Sequence, residues 1–167
     1  MANSSIIETA KNSIVREIIN DEEIVNAIDA RGITLDNADE LIGKHVFDYH
    51  QNPNVLQDMD TFITIQVDIP PLFRDTIGLT RVRPNVEIWI CSHYKHMRVE
   101  NVPKIKSNRN DYLSRLLDKK LNGSTKFGIG KLNLTSNIEG SYQNDYLYRT
   151  LTFETLDINN SLCEDDD

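Results

Sequence analysis

The amino-acid sequence predicts an α+β fold, in which a small and mostly antiparallel β-sheet is flanked by helices and extra helices lie at the N-terminus. Three observations lead to this prediction. Apolar residues recur with helical spacing between about residues 5 and 43. Apolar and polar residues then alternate in 61–69 and 82–94, which is the period of a strand. A further helical segment, 108–121, precedes two more alternating segments, which indicates a closing hairpin.

The length of the chain favours one domain, since its 167 residues fall in the usual range of roughly 100–200 residues. We expect a single α+β domain over residues 1–158. Within it, helices occupy about 5–43, and the sheet with its packing helix occupies about 60–156. The acidic residues in 159–167 predict a solvated tail.

Three helices are predicted in the N-terminal part. The first begins at Ser4 or Ser5, either of which can cap it, and continues with isoleucines at helical spacing. The second begins near Asn20 or Asp21, where the following glutamates suit a helix N-terminus. The third is short, over about 37–41, and ends before a glycine.

The first two strands are marked by alternation and by proline. In 61–69 the odd positions from 63 onward are apolar and most even positions are polar, which predicts a half-buried strand. The segment 82–94 alternates in the same way. Pro84 has no backbone N–H to donate, so the sequence predicts an edge position or a bulge near the start of this strand.

The C-terminal half predicts a helix followed by a hairpin. Asn108 can cap a helix that continues to about residue 121. The next strand covers about 130–138, with Ile138 on its inward face, and Gly140 is expected in the hairpin turn. The last strand covers about 145–155.

The net charge of −8 is distributed unevenly along the chain. Residues 1–80 carry five basic and 14 acidic side chains (−9), residues 81–126 carry 11 and four (+7), and residues 127–167 carry two and eight (−6). The acidic total argues against a protein that grips nucleic acid through its overall field. The three blocks could give oppositely charged faces that pair head to tail, or the charges could mix in space and cancel.

The sequence predicts neither a membrane protein nor a secreted one. It contains no apolar run long enough to span a bilayer, and its N-terminus lacks the basic and apolar regions of a secretory signal. Cys91 and Cys163 are far apart and neither lies in a C-x-x-C motif, which fits a reducing cytosol.

No catalytic or cofactor motif stands out, so we expect no enzyme, no cofactor and no metal. The segment 128–131 resembles a phosphate loop, but it lacks the earlier glycine and the Ser or Thr that should follow the lysine. A G-x-S-x-G nucleophile elbow is absent. Cys91, His93 and His96 could ligate zinc. On a strand, however, the first two share a face and His96 points the other way unless the strand bends.

Candidate interface residues lie in two loops. The loop 70–83 is long for a connection between strands and carries arginines beside large apolar residues, a composition typical of partner surfaces. The loop 98–109 adds further basic residues. The alternative is that both are ordinary solvated loops. The candidate interface residues are Leu72, Phe73, Arg74, Arg81, Arg83, Arg98, Lys104, Lys106 and Arg109.

Several segments match a known group in order and loosely in sequence. They are LIGK (41–44), the strand 63–69, VEIWICSH (86–93), RNDYL (109–113), LNG (121–123), GIGKL (128–132) and YRTLTF (148–153). Over about residues 35–158 the chain thereby resembles the neck and tail-completion proteins of long-tailed bacteriophages, especially the tail-terminator group. The longer N-terminal helical part and the acidic tail depart from that compact pattern.

The resemblance implies a structural virion protein of the phage neck, assembled in the host cytoplasm. Such proteins form a hexameric ring of identical subunits that caps the tail tube and joins it to the head-side connector. The implied partners are copies of the same chain, the tail tube protein and the connector or adaptor protein. Genomic DNA would pass through the lumen without specific binding, since a negative lumen repels phosphate.

Two other readings remain open at this level. A head-completion or head–tail adaptor protein is a neighbouring possibility, although the predicted strands argue against the mainly helical folds of that class. A non-viral cytosolic protein is the other, either an adaptor with a peptide groove at the loop 70–83 or a metal-binding protein built on Cys91, His93 and His96.

Overall fold

The computed structural model describes residues 4–53, 60–70, 73–74, 80–81, 83–100 and 107–155. The helices are α1 (Ser4–Ile19), α2 (Glu22–Ile28) and α3 (Arg109–Leu121), with 3-10 helices at Leu35–Leu41 and Tyr94–His96. The strands are β1 (Val46–Phe47), β2 (Thr61–Asp68), β3 (Phe73–Arg74), β4 (Thr80–Arg81), β5 (Asn85–His93), β6 (Leu132–Tyr142) and β7 (Tyr146–Thr155).

The main sheet has five strands in the order β1-β2-β5-β7-β6. The short strand β1 pairs with β2 in parallel, and every other pair of this sheet is antiparallel. A separate two-stranded ribbon joins β3 to β4. The predicted α+β class with a mostly antiparallel sheet is confirmed.

Side-chain caps fix the starts of two helices where the sequence predicts them. The Asp21 carboxylate accepts a hydrogen bond from the backbone N–H of Ile24 at 3.1 Å, so α2 begins directly after Asp21. The Asn108 side chain accepts from the N–H of Asp111 at 2.8 Å at the start of α3. The capped helices therefore begin at defined positions against the sheet.

One face of the sheet is covered by helices and holds the main core. Helix α1 contacts β2, and α3 contacts β5 and β7. Alternate residues of the central strands point into this layer, and residues such as Ile63, Ile88 and Leu151 are fully buried there. This helix-covered face is the hydrophobic layer that the strand periodicity predicts.

The opposite face, which we call the helix-free face, carries a second cluster. It contains Phe47, Phe62, Trp89 and Cys91, with partly buried tyrosines packed against them. The prediction that 61–69 is half-buried is therefore wrong: Phe62 and Thr64 are 1% exposed, and only the last residues of β2 reach solvent. Because both faces of β2 are covered, its threonines are buried although they are polar.

Three predictions about the later strands are also corrected. Strand β5 begins just after Pro84 and lies between β2 and β7, so it is central and not an edge strand. Gly140 lies within β6, and the hairpin turns at 143–145, where Gln143 adopts φ 55°. A bulge between Leu134 and Ser136 shifts the alternation. Ile138, predicted to face inward, is consequently 62% exposed.

Candidate interaction surface

Trp89 is the centre of the aromatic cluster on the helix-free face. The ring of His50 stacks on it with centroids 5.1 Å apart. Phe62 and Tyr142 meet it edge-on at 6.1 Å, and Tyr148 lies tilted at 5.2 Å. The cluster thus draws rings from β2, β5, β6, β7 and the segment after β1, and it fixes their relative positions.

A groove of about 310 Å³ opens over this cluster. Trp89 is 7% exposed and forms its deepest aromatic wall. Glu87 lies two residues before Trp89 on the same face of β5, so its carboxylate stands at one side of the groove. The lining residues are His50, Glu87, Trp89, Ser141, Tyr142, Tyr148 and Thr150.

Gly140 makes room for one of these rings. Tyr148 pairs with Gly140 across β6 and β7, and a Cβ atom added at Gly140 would lie 2.5 Å from Cζ and Oη of Tyr148. The glycine is thus required by the ring above it, since its φ is not among the positive values of the chain. From the sequence alone, Gly140 is predicted to lie in the hairpin turn.

Strand β6 forms one edge of the five-stranded sheet, and its outer side has no strand partner among the described residues. It is 11 residues long, and Ile138 is an exposed apolar side chain in its second half. An unpaired edge of this length presents backbone donors and acceptors to any strand that approaches it.

A buried polar network crosses the helix-covered side. Asn110 donates from Nδ2 to the carbonyl of Leu147 at 2.9 Å, so its Oδ1 accepts from Ser92 Oγ at 2.6 Å. Because Ser92 directs its proton to Asn110, Thr61 donates to Ser92 at 2.8 Å and accepts from His96 Nδ1 at 2.9 Å. His96 therefore carries a proton on Nδ1.

The other ring nitrogen of His96 faces a carboxylate. Its Nε2 lies 3.4 Å from Oδ2 of Asp29. Burial and the positive charge of Arg109 lower the pKa of His96 below its usual value of 6.5, against the opposing charges of Asp29 and Asp60.

Asp29, His96 and Thr61 have the residue types of a nucleophilic triad, but the Thr61 hydroxyl, which would be the nucleophile, is buried. Thr61 and Ser92 are both 0% exposed, so a substrate cannot reach their hydroxyls in this fold. The amino-acid sequence does not reveal this network, because its members come from distant elements and share no local motif.

Arg109 is the predicted interface residue that the structure places in the interior. It is 1% exposed, and its guanidinium donates to the carbonyls of Ala27, His96 (2.6 Å) and Arg98 (2.8 Å) and to Oδ2 of Asp29 at 3.1 Å. With its donors occupied inside the chain, Arg109 cannot serve as a surface contact. By satisfying several backbone carbonyls, the buried Arg109 side chain holds the segments that carry them together.

The other predicted interface residues are described only in part. Arg83 and Arg98 are exposed. Phe73, Arg74 and Arg81 lie on the ribbon of β3 and β4, where only the backbone is described. Leu72, Lys104, Lys106 and the tail 159–167 lie outside the described residues.

The candidate zinc ligands do not converge. Cys91 and His93 share the helix-free face, as the strand geometry predicts. Strand β5 ends at His93, and the following 3-10 helix carries His96 to Thr61 on the helix-covered side. His93 accepts from the N–H of Lys95 at 3.2 Å. Burial raises the pKa of the Cys91 thiol to about 12. Across the described ranges, no group of three or more His, Cys, Asp or Glu side chains is arranged to hold a metal.

A second cleft, of about 430 Å³, lies between the start of α3 and the β6–β7 hairpin. Arg149 lines it and forms ion pairs with Asp111 and, at 3.1 Å, with Glu139. It also donates to Asn137 at 2.9 Å. The guanidinium of Arg149 is thus already paired with neighbouring side chains of the same chain.

None of the helices in the described part of the chain is both long and apolar enough to cross a bilayer.

Comparison with known proteins gives the family. No curated protein matches the sequence. A family model named YomW matches residues 12–155. This range includes all the described strands and all the described helices apart from the start of α1. The chain therefore belongs to the YomW family, a family of the SPbeta region of a Bacillus phage, which indicates a phage-derived protein.

Proposed function

We propose that this protein is a structural component of the phage neck. In this role, six copies form a ring that caps the tail tube and joins it to the head-side connector. The phage origin of the family supports a role in the phage life cycle. The observation that carries the assembly role is the open edge of the sheet at β6.

The properties of β6 fit an interface between subunits. A strand 11 residues long offers a row of backbone hydrogen-bonding groups on its outer side. No lysine or proline within it guards that edge, and Ile138 is 62% exposed beside it. Pairing of this edge with a neighbouring subunit would satisfy the backbone groups and cover the isoleucine.

The role is non-catalytic, and its partners follow from the position in the neck. They are other copies of the chain, the tail tube protein and the head-side connector. DNA passes through the lumen without specific contacts, as suits a chain of net charge −8. The protein acts within the virion after assembly in the host cytoplasm.

Mass measurement and electron microscopy of the purified protein, alone and with tail tubes, test the proposal. We expect a sixfold ring, either free or at tube ends. Ile138→Lys should abolish the ring while leaving the monomer folded, because the side chain is exposed in the single chain. Leu35→Lys is the matched control, since Leu35 is 43% exposed on a different element.

Either of two results would contradict this role. A strict monomer that never binds tube ends would remove the ring. A ring that forms equally well with Ile138→Lys would show that the β6 edge is not its interface.

A further inference from the structure

The groove over Trp89 combines aromatic walls with a carboxylate. Aromatic rings attract cations through the negative potential of their faces. Trp89 lies at the base, Tyr142 and Tyr148 stand beside it, and Glu87 lines the same groove. This combination of rings and one acid is suited to a positively charged group and unsuited to an anion.

The acid of this groove is available to a ligand. Glu87 is partly buried on β5, and within the described part of the chain no hydrogen bond or ion pair engages its carboxylate. A partly desolvated carboxylate gains more from a bound cation than a fully solvated one does.

The charges on the rest of the helix-free face are also suited to a cation. The residues that the five strands direct to the helix-free face include three acids, namely Asp68, Glu87 and Glu154, and no lysine or arginine. Arg149, the basic residue of β7, points to the other side and is paired with Asp111 and Glu139. A cation that approaches this face therefore meets no like charge from the strands.

We propose that the groove binds an arginine side chain presented by a partner protein. A guanidinium is planar, so it can stack on the half-buried ring of Tyr148, beside Trp89, while it donates hydrogen bonds to Glu87. The side chain of Thr150, which pairs with Trp89 across β5 and β7, lies on the same face, and its hydroxyl can accept a further N–H group. This binding requires only the helix-free face of one chain and is independent of ring formation.

The single tryptophan of the chain makes a direct test possible. Trp89 fluorescence is followed while a short oligo-arginine peptide is added to the full-length protein, with oligo-lysine and oligo-glutamate peptides of equal length in parallel. We expect saturable quenching by oligo-arginine, weaker binding of oligo-lysine, and no response to oligo-glutamate.

Two variants locate the binding site. Glu87→Gln keeps the shape of the side chain and should weaken oligo-arginine binding about tenfold. Tyr148→Leu removes one ring and should weaken it further, with circular dichroism checking that the fold is retained. Glu8→Gln is the matched control, because Glu8 is an exposed acid on α1, which packs on the other side of the sheet.

The proposal is overturned if oligo-arginine leaves the fluorescence unchanged. It is also overturned if Glu87→Gln and Glu8→Gln weaken binding equally, since that would indicate attraction to the net negative charge of the whole protein. Both readouts use the single chain, so failure of the ring proposal would leave them unaffected.

Discussion

Nη2 of Arg109 donates a hydrogen bond of 3.1 Å to Oδ2 of Asp29, across 80 positions of the sequence. The same guanidinium donates to the carbonyl of Ala27 and thereby ties the end of α2 to the start of α3. The carboxylate of Asp29 also faces His96, so one contact links the N-terminal helices to the polar network beneath the sheet.

Replacement of Arg109 should destabilise the fold strongly. Arg109→Met keeps the aliphatic bulk but leaves the buried carbonyl of Ala27 and the carbonyls of His96 and Arg98 without their donor. We expect the free energy of unfolding in urea to fall by about 3 kcal/mol. Arg98→Met is the control, because the Arg98 side chain is exposed, and it should change stability little. Equal effects of the two substitutions would contradict this stabilising role of the Arg109 hydrogen bonds.

Stability should depend on pH through His96. Its pKa in the folded protein is lowered below the usual 6.5, so the unfolded chain binds a proton more readily than the folded one. This contribution is therefore fully present above about pH 7.5 and is lost as the pH falls through 6.5 towards the folded pKa.

Urea unfolding of the native protein and of His96→Asn, compared between about pH 7.5 and pH 5.5, measures that contribution. Asparagine can still donate to Thr61, but it does not titrate. The native protein should lose more stability than the variant over this interval. Parallel curves for the two proteins would show that His96 is not the group responsible.

Gly140 and Tyr148 should be energetically coupled. Gly140→Ala places a methyl group where the Tyr148 ring now lies, and the ring cannot move freely because it packs against Trp89. We expect a loss of about 1–3 kcal/mol in urea unfolding and a shift in Trp89 emission. In the Tyr148→Leu background the same glycine substitution should cost less, and a double-mutant cycle measures the difference. Additive effects would contradict the packing argument.

Cys91 should be inert in the folded protein. Its side chain is 0% exposed, and burial raises the pKa of its thiol to about 12 from 9.0, which lowers the thiolate fraction about a thousandfold. In a Cys163→Ser variant, whose only thiol is Cys91, iodoacetamide should react in denaturant and not in native buffer. Rapid native labelling, followed by mass spectrometry, would show that the helix-free face opens more readily than the static packing implies.

The sequence predicted α1, α2, α3 and the long strands β2, β5, β6 and β7, because their periods are locally encoded, and it missed the two-residue strands β1, β3 and β4. The caps at Asp21 and Asn108 and the alternation in 61–69 each need only a few neighbouring residues. The bulge at residue 135 is different, since it changes the face of Ile138 without a residue type that marks it. The prediction for Pro84 was wrong because tertiary pairing decides where β5 begins, and β5 begins just after this proline.

The polar network and the aromatic groove were beyond reach of the sequence for a similar reason. Arg109 reads as one more cation in a basic loop until the carbonyls of Ala27 and Arg98 are placed around it. Trp89 alternates with apolar neighbours on β5, and only the folding of β6 and β7 beside it brings Tyr142 and Tyr148 to its ring. Contacts between distant segments carry no short-range signature.

The strand order has a consequence for synthesis on the ribosome. Strand β5 is the middle of the sheet, but one of its two neighbours, β7, is made last among the described strands. Until residues 146–155 leave the exit tunnel, the nascent chain exposes the apolar edge of β5 and lacks the cover of Tyr148 over Trp89. A premature stop before β7 would release a chain in which one edge of β5 is unpaired. Such fragments should aggregate or require a chaperone.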